Sequence, residues 1–293
     1  MSINFDGRVA IVTGAGGGLG REHALALAKR GAKVVVNDLG PGAEAVAQEI
    51  KAAGGQAIAV LSSVTDFAAV QAMVKTTMDT WGRVDILVNN AGILRDKSFS
   101  KMELADFQLV VDVHLMGAVN CCKAVWDIMR AQKYGRIVNT TSSSGLFGNF
   151  GQSNYGAAKM ALVGLMQTLS IEGAKDNIKV NCLAPTAATA MTEGLMPQVV
   201  LDKLAPSAVT PGLLYLVSED APTRVILNAG AGTFARSYVT MTLGTHIGTG
   251  ADADDQVAAQ FEAISDRDEE VVPQSGAEQG RNEVGKAMAA SQD

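Results

Sequence analysis

Tyr155 and Lys159 are the two residues whose types and spacing best suit proton transfer. They lie four positions apart, and residues at that spacing share one face of a helix. A lysine ammonium beside a phenol favours the phenolate and lowers the tyrosine pKa from about 10 towards neutrality. Ser142 follows an apolar strand and is placed to hold a substrate oxygen against Tyr155. We therefore predict that Tyr155 exchanges a proton with an alcohol or ketone oxygen.

The Tyr–Lys pair and the serine are each common when found alone. A Tyr–Lys pair four residues apart often lies on a solvated helix face, and a serine after a strand is usually part of a turn. A glycine-rich segment upstream, residues 13–20 (TGAGGGLG), changes that interpretation because it leaves a strand and opens a helix. Glycines there let the backbone approach a pyrophosphate at the positive end of the helix. The predicted cofactor-binding residues of this turn are Gly14, Gly16, Gly18, Leu19 and Gly20.

The acidic residue Asp38 closes the second strand about twenty residues after the glycine turn, where a carboxylate accepts hydrogen bonds from ribose hydroxyls. A 2′-phosphate would be repelled by Asp38, and no Arg or Lys lies in the turn or just after Asp38 to neutralise it. The sequence therefore predicts a dinucleotide site that takes NAD rather than NADP. Oxidised nicotinamide would add a second positive charge beside Tyr155.

The segment 89–92 (NNAG) follows the fourth strand, at the sheet edge where ligands bind in folds of this kind. Ala91 and Gly92 leave room for the adenosine half of the cofactor, and Asn90 is predicted to line the same site. The asparagines also suit a purely structural function, bracing the turn and the neighbouring strand. Both functions are compatible.

These segments require a frame of alternating strands and helices. Strands are predicted at 9–12, 33–37, 56–61, 85–88, 136–140, 179–183 and 225–228, and helices include 20–30, 43–53 and 66–81. The strands are nearly continuous apolar runs, as burial on both faces of a parallel sheet requires. We predict an α/β fold with a single Rossmann-type, doubly wound parallel sheet and helices on both faces.

The chain is predicted to form one dinucleotide-binding catalytic domain, residues 1–248, and a C-terminal tail, residues 249–293. Val257, Phe261 and Ile264 lie at helical spacing in the tail, which predicts a partly helical segment that packs on the domain or on a partner subunit.

Composition limits the possible partners. Hydrophobic residues make up 47% and charged residues 18%, values typical of a soluble globular chain. The net charge of −6 argues against nucleic acid and anionic membranes as partners, and no apolar run reaches the length that a bilayer requires. The three cysteines form no pair motif, and no metal-ligand pattern is present. No presequence or peroxisomal signal is found at the ends, so a cytoplasmic location is expected.

The motifs TGxxxGxG, NNAG and Ser–Tyr–xxx–Lys occur in the order typical of the short-chain dehydrogenase/reductase family, which residues 5–245 resemble. The resemblance implies a catalytic set of Asn, Ser, Tyr and Lys, in which Tyr155 and Lys159 also contact the cofactor and Lys159 holds the nicotinamide ribose. It also implies a homodimer or homotetramer. The helix after Tyr155 has a face of small residues that would allow close packing in such an oligomer or within the domain.

Further segments resemble the (3R)-hydroxyacyl-CoA dehydrogenase domains of type 2 peroxisomal multifunctional enzymes. They are residues 37–40, 92–99, 113–115, 148–155, 184–185, 191–192 and 230–232. This resemblance implies NAD-dependent oxidation of a (3R)-3-hydroxyacyl-CoA or a steroid-like alcohol, and the chain length predicts a stand-alone dehydrogenase. Arg95 and Lys97 are candidate partners of CoA, although surface ion pairs explain them equally well.

The sequence departs from the family pattern at several positions. His114 stands where the family has its catalytic Asn. It is interpreted either as part of a proton relay, in which it carries a proton or holds a water, or as a packed core residue. Val64 is expected to pack on the adenine, since Ser63 replaces the usual Asp. Thr189 is predicted to contact the nicotinamide carboxamide because Ala190 occupies the usual Thr position; Thr192 is an alternative.

Two other functions are compatible with the sequence. One is a 3-ketoacyl thioester reductase acting on carrier proteins, which the preference for NAD argues against. The other is a catalytically weak NAD-binding regulator, for which His114 is the main support and against which Ser142, Tyr155 and Lys159 argue.

Overall fold

The computed structural model describes residues 3–188 and 197–291 and shows strands alternating with helices. The strands are β1 (Val9–Thr13), β2 (Lys33–Asp38), β3 (Gln56–Leu61), β4 (Ile86–Asn89), β5 (Gly135–Thr140), β6 (Ile178–Thr186), β7 (Ile226–Gly230) and β8 (Thr233–Ser237). The helices are α1 (Gly18–Lys29), α2 (Gly42–Ala52), α3 (Phe67–Trp81), α4 (Leu104–Val111), α5 (Gly117–Gln132), α6 (Ser143–Phe147), α7 (Ser153–Glu172), α8 (Gln198–Leu201), α9 (Thr210–Leu216), α10 (Ala253–Ala259), α11 (Phe261–Ile264) and α12 (Ala277–Ala290).

The strands form one eight-stranded sheet in the order β3-β2-β1-β4-β5-β6-β7-β8. Strands β1 to β7 pair in parallel. The predicted doubly wound α/β sheet is confirmed. The order reverses between β1 and β4, and in such sheets this point opens the crevice in which ligands bind. The sequence analysis did not identify β8, which a two-residue turn with positive φ at Ala231 and Gly232 joins to β7 as a hairpin.

Apolar side chains on both faces hold the sheet between two layers of helices. Along β1, Ala10 and Val12 pack in one core with residues of α1, α2 and α9, such as Leu27. Ile11 points to the opposite core, which includes Val70 of α3 and Val125 of α5. This alternation in a wholly apolar strand is what burial on both faces produces.

The segment Leu104–Gln132 is continuously helical, because a π-helical turn, Asp112–Met116, joins α4 to α5. Its 29 residues are long and apolar enough to cross a membrane by length and composition alone, which differs from our expectation for this chain. Core helices of soluble proteins share these properties, and Val125 and Met129 of this segment are buried in the core. The absence of a membrane partner remains a prediction.

Residue contacts divide the chain into two compact units, Met1–Arg236 and Ser237–Asp293, a division that lies before the boundary expected at residue 248. In the second unit, the backbones of Met241 and Val271 form an antiparallel bridge, and Asn282 of α12 donates to the carbonyl of Leu243 at 3.0 Å. The predicted tail helix is present as the two short helices α10 and α11.

Candidate active site

The glycine turn after β1 packs directly against the loop after β4. Gly14 has a φ of +62°, and a β-carbon there would lie 2.7 Å from the Cα atom of Ala91. A β-carbon at Gly20 would overlap the carbonyl oxygen of Gly14. Neither position tolerates a side chain without movement of the backbone. A β-carbon at Gly17, by contrast, would meet no atom within 4 Å.

Helix α1 begins at Gly18, directly after this turn, and no side chain caps its N-terminus. The first backbone N–H groups of a helix lack intrahelical partners and carry partial positive charge. With Gly17 facing open space, the start of α1 suits a pyrophosphate, as the glycine spacing predicts.

Asn90 and Thr13 hold the turn in place. The Asn90 side-chain amide donates to the carbonyl oxygens of Thr13 and Gly14, both at 3.1 Å. The Thr13 hydroxyl in turn accepts from the backbone N–H groups of Asn90 at 3.0 Å and Ala91 at 3.1 Å. Asn90 therefore braces the site, one of the two functions considered for it, while also lining the cleft. Thr13 was not singled out from the sequence.

Asp38 closes β2 beside the glycine turn. Its carboxylate accepts from the backbone N–H groups of Gly16 at 2.9 Å, Leu39 at 2.7 Å and Gly40 at 3.2 Å. These bonds fix its direction and leave lone pairs for further donors, such as ribose hydroxyls. Gly16 thus acts through Asp38, since its N–H is the group that orients one carboxylate oxygen.

A cleft of about 340 Å³ lies at the point where the strand order reverses. The predicted residues that line it are Gly14, Gly18, Leu19, Asp38, Val64, Asn90, Ala91 and Gly92. Gly16, which lies against Asp38 and Ala43, and Gly20, which is buried against Gly14, are not among its lining residues. Lining residues that the sequence analysis did not predict for the site are Gly17, Asn37, Leu39, Ser62, Ser63, Ile93 and Val113. Strand register offered a signal for Ser62, because Leu61 pairs with Asp38.

Ser142, Tyr155 and Lys159 come together at the carboxyl end of β5. Ser142 precedes α6, where its hydroxyl oxygen accepts from the N–H of Ser144 at 3.1 Å. Tyr155 lies in the first turn of α7, one helical turn before Lys159, and hydrogen-bonds Ser142. The Lys159 ammonium nitrogen lies 5.4 Å from the centre of the Tyr155 ring. A phenol, a hydroxyl and a lysine amine therefore share one site.

The sequence pattern of the short chain dehydrogenase family matches residues 8–199, more than half of the chain. The chain belongs to the short-chain dehydrogenase family. The predicted membership and the predicted enzymatic class are thereby confirmed.

Three individual proteins show which members of the family this chain resembles. Peroxisomal multifunctional enzyme A of Dictyostelium discoideum is 48% identical over 258 residues, covering 84% of this chain and 58% of that protein. The structure of full-length peroxisomal multifunctional enzyme type 2 from Drosophila melanogaster has a TM-score of 0.83 and 37% identity, covering 98% of this chain and 50% of the other. A 7α-hydroxysteroid dehydrogenase complexed with NADH and 7-oxo glycochenodeoxycholic acid has a TM-score of 0.73 and 31% identity, covering 78% and 95% of the respective chains.

The chain spans between 27% and 58% of the length of four curated relatives with multifunctional or hydratase-dehydrogenase-epimerase names. The predicted resemblance to type 2 multifunctional enzymes is confirmed. These names describe peroxisomal proteins, so they lend no support to the cytoplasmic location, which remains a prediction.

In this short-chain dehydrogenase, burial raises the pKa of Tyr155 above its ordinary value. The hydrogen bond with Ser142 lowers that pKa and the carboxylate of Asp96 raises it, so the net direction is upward. The lowered pKa expected from the Tyr–Lys spacing is therefore not produced by the groups of the chain. The phenol is largely removed from water, which disfavours the phenolate.

Lys159 is almost completely buried, with 3% of its surface exposed, and its ammonium donates to the carbonyl oxygen of Thr140 at 2.5 Å. Burial lowers the pKa of Lys159 to about 7. Its charge therefore changes close to neutral pH. The sequence pattern predicted an ammonium beside the phenol, because spacing alone cannot show that the lysine is buried.

His114 lies in the π-helical turn and contacts both Tyr155 and the loop after β4. Its ring is edge-on to the Tyr155 ring, with 5.1 Å between centroids, and its Nε2 atom is 2.8 Å from the carbonyl oxygen of Ile93. Burial, followed by the charge of Lys159, lowers the pKa of His114 to about 3. The imidazole is therefore neutral near pH 7. Its Nδ1 atom is buried and has no hydrogen-bond partner among the described residues.

Other predicted site residues have different outcomes. Val64 lines the cleft and packs against Gly117, while its contact with adenine stays a prediction. Thr189, together with the alternatives considered around it, lies outside the described residues, so its predicted contact is untested. Within residues 3–188 and 197–291, no cluster of three or more potential metal ligands is found.

Proposed function

We propose that this chain is an NAD-dependent dehydrogenase that transfers a hydride between NAD and a secondary alcohol or its ketone, with Tyr155 as the acid/base. The observation that carries the proposal is the meeting of Ser142, Tyr155 and Lys159 at the sheet edge that also carries the glycine turn and Asp38. Family membership supports the oxidoreductase class, and the neighbour complexed with NADH supports the cofactor type.

The residues present fit NAD. The glycine turn leaves no room for a β-carbon at Gly14, the start of α1 is uncapped, and Asp38 offers oriented acceptors. We propose that Gly17 and Gly18 hold the pyrophosphate, Asp38 the adenosine ribose and Val64 the adenine. Bound NAD supplies the hydride acceptor and, when oxidised, a positive charge beside Tyr155. The carboxylate of Asp38 disfavours a 2′-phosphate at the same place.

Ser142 and Tyr155 have different functions in the proposed proton transfer. Since the Ser142 oxygen accepts from the N–H of Ser144, its own proton is free to bind Tyr155 or the substrate oxygen. Tyr155 donates its phenolic proton to the oxygen during ketone reduction and accepts one during alcohol oxidation. Because burial raises the pKa of Tyr155, the protonated form suited to reduction is favoured in the chain itself, and oxidation requires added positive charge.

His114 acts in this proposal through a water molecule rather than as a charged acid. A cavity of about 10 Å³, close to the size that a single water requires, is lined by His114, Asn89 and Lys159 among others. Two buried polar atoms without partners in the described part of the chain, His114 Nδ1 and Asn89 Oδ1, belong to its lining residues. A water there would link the Lys159 ammonium to polar groups of the core.

The proposed substrate is a (3R)-3-hydroxyacyl-CoA or a steroid-like alcohol. The names of the multifunctional relatives and of the hydroxysteroid dehydrogenase support these classes. Phe147 and Phe150, which lie between Ser142 and Tyr155 in the sequence, are 72% and 89% exposed and suit an apolar substrate. Arg95 forms an ion pair with Asp106 at 3.7 Å, which favours the surface ion-pair interpretation for this residue, while Lys97 remains the candidate partner of CoA.

Oligomerisation remains a prediction and belongs to this proposal. Helix α7 exposes Met160 and Ile171, apolar side chains that association of a homodimer or homotetramer through this helix would cover. Light scattering of the purified protein distinguishes the monomer from either form.

The function is tested by mixing purified protein with NAD⁺ or NADP⁺ and a panel of (3R)-3-hydroxyacyl-CoA thioesters and hydroxysteroids. Absorbance of the reduced nicotinamide measures turnover. We expect turnover with NAD⁺ in at least one class. Equal use of NADP⁺ would contradict the assignment of the cofactor. Binding of NAD⁺ without turnover of any substrate would support the regulator instead.

A further inference from the structure

Gln152 lies just before α7, and its side-chain amide joins three segments around the site. Its oxygen accepts from the hydroxyl of Ser144 at 2.7 Å and from the side-chain amide of Asn149 at 3.0 Å. Its nitrogen donates to the carboxylate of Asp96 at 2.7 Å. The amide is thus bound on both sides, by donors at its oxygen and by an acceptor at its nitrogen.

The chain of hydrogen bonds continues from Gln152 to the reacting groups. Ser144 donates its backbone N–H to the Ser142 hydroxyl at 3.1 Å, and Ser142 bonds Tyr155. The backbone of Gln152 is also engaged, because its carbonyl accepts from the N–H of Gly156, next to Tyr155, at 2.6 Å. Asp96, Gln152, Ser144, Ser142 and Tyr155 form one connected path.

We propose that Gln152 is a positioning residue, which fixes the Ser142 hydroxyl towards Tyr155 through Ser144 and is itself anchored by Asp96. This inference rests on the proposed function in that Ser142 and Tyr155 are taken as the reacting groups.

The local structure explains why such an anchor is needed. Helix α6 has only five residues, and a helix this short has little stability of its own. The Ser144 N–H that orients Ser142 belongs to its first turn. The bond from Ser144 to Gln152 ties that turn to the start of α7, so the Ser142 hydroxyl keeps its direction relative to Tyr155.

A double-mutant cycle tests whether Gln152 acts through Ser142. We expect Ser142→Ala to lower kcat about 100-fold, the loss of one oxyanion-type donor. Gln152→Ala should lower kcat about tenfold, as a small misplacement does. Their combination should be no worse than Ser142→Ala alone. The KM for NAD⁺ should stay within about twofold, since Gln152 does not line the nucleotide cleft. Multiplication of the two losses would overturn the proposal.

A matched control comes from the second unit. Gln279 on α12 also donates from its amide to a carboxylate, Glu283, at 2.8 Å. Gln279→Ala removes the same type of bond and should leave kcat unchanged. Thermal unfolding of each variant reports whether the Gln152 substitution has merely loosened the fold.

Reversing the polarity of the bond between Gln152 and Asp96 gives a second test. Gln152→Glu alone keeps an acceptor for Ser144 but places a carboxylate against Asp96, so we expect a loss of about tenfold in kcat. Adding Asp96→Asn restores a donor–acceptor pair with the same net charge, and most of the loss should be recovered. If the double variant is no more active than Gln152→Glu, the anchoring by Asp96 is wrong.

A titration of Tyr155 distinguishes failure of this inference from failure of the proposed function, because it needs no substrate. NMR of protein labelled with ¹³C-tyrosine follows the pKa of Tyr155, which Lys159, His114 and Asp96 also face. Since the bond with Ser142 lowers this pKa, both Ser142→Ala and Gln152→Ala should raise it. An unchanged pKa in Gln152→Ala together with a raised one in Ser142→Ala would refute the positioning function, whether or not a substrate is known.

Discussion

The proposed nucleotide cleft and the proposed catalytic cluster lie at the same edge of the sheet but are built from different parts of the chain. The cleft is formed largely by backbone, in which Gly14 packs closely against Ala91 and N–H groups bind Asp38. The cluster consists of side chains whose protonation depends on burial, as Tyr155 and Lys159 show. Backbone geometry follows from residue spacing, whereas burial follows from the packing of the whole domain.

If the cluster depends on its side chains, the largest effect of a substitution on kcat is expected at Tyr155. Tyr155→Phe removes the exchangeable proton and should lower kcat by about 10²–10⁴, while NADH binding, measured by fluorescence, changes little. Tyr215→Phe, on the half-exposed face of α9, serves as the matched control with native activity. Comparable turnover in Tyr155→Phe would mean that another group exchanges the proton.

A backbone-built cleft should be sensitive to single methyl groups. Gly14→Ala forces a β-carbon against Ala91 at a positive φ, so we expect the free energy of unfolding to fall by about 1–3 kcal/mol. Gly17→Ala, whose new methyl group meets no neighbouring atom, should stay within about 0.5 kcal/mol of the parent. Denaturant unfolding without cofactor measures both. Equal stability of the two variants would show that the turn adapts.

Asp38 tests whether charge rather than shape selects the cofactor. Asp38→Asn keeps the size of the side chain and removes its charge, so we expect the preference for NAD⁺ over NADP⁺ to fall about tenfold in kcat/KM. Asp79→Asn on the exposed face of α3 controls for net charge and should leave the preference unchanged. A preference that survives Asp38→Asn would assign the selection to other residues.

The last expected effect concerns pH and Lys159. With a pKa near 7 in the folded chain and the ordinary value of 10.5 when unfolded, Lys159 binds more proton in the unfolded chain between those limits. Its contribution to the free energy of unfolding therefore rises as pH increases from about 7. Lys159→Met should lack this rise. Unfolding curves of the parent and of Lys159→Met at pH 7 and pH 9 measure this rise. If the two proteins differ in free energy of unfolding by the same amount at both pH values, the lowered pKa of Lys159 is contradicted.

The sheet and the glycine turn could be predicted from the sequence because both depend on the local spacing of residue types. Val9, Gly14 and Asp38 occupy the predicted strand, turn and strand end. The hairpin strand β8 could not be predicted because its residues are mostly exposed and lack the apolar run of a buried strand. The π-helical turn at His114 left no mark in the residue pattern, since it differs from an α-helix only in its hydrogen bonding.

The electrostatics of the site could not be read from the sequence for a related reason. The Tyr155 and Lys159 pair predicted contact correctly, but the direction of each pKa depends on how much water surrounds the groups. In the sequence, Gln152 is only one residue of the family segment 148–155. Its importance arises from its partners Ser144, eight residues before it, and Asp96, 56 residues before it. The fold brings these two residues to the two sides of the Gln152 amide.

The Asn90 side chain has a consequence for the sheet as a whole. Where the strand order reverses, the connections after β1 and β4 leave towards opposite faces, and no helix covers the space between the two strand ends. Asn90, the residue directly after β4, spans that space by donating to the carbonyls of Thr13, the last residue of β1, and of Gly14, the residue after it. These bonds tie the end of β1 to the loop after β4 at the floor of the crevice, so we expect the spacing of the two strand ends to be preserved when a ligand binds or leaves.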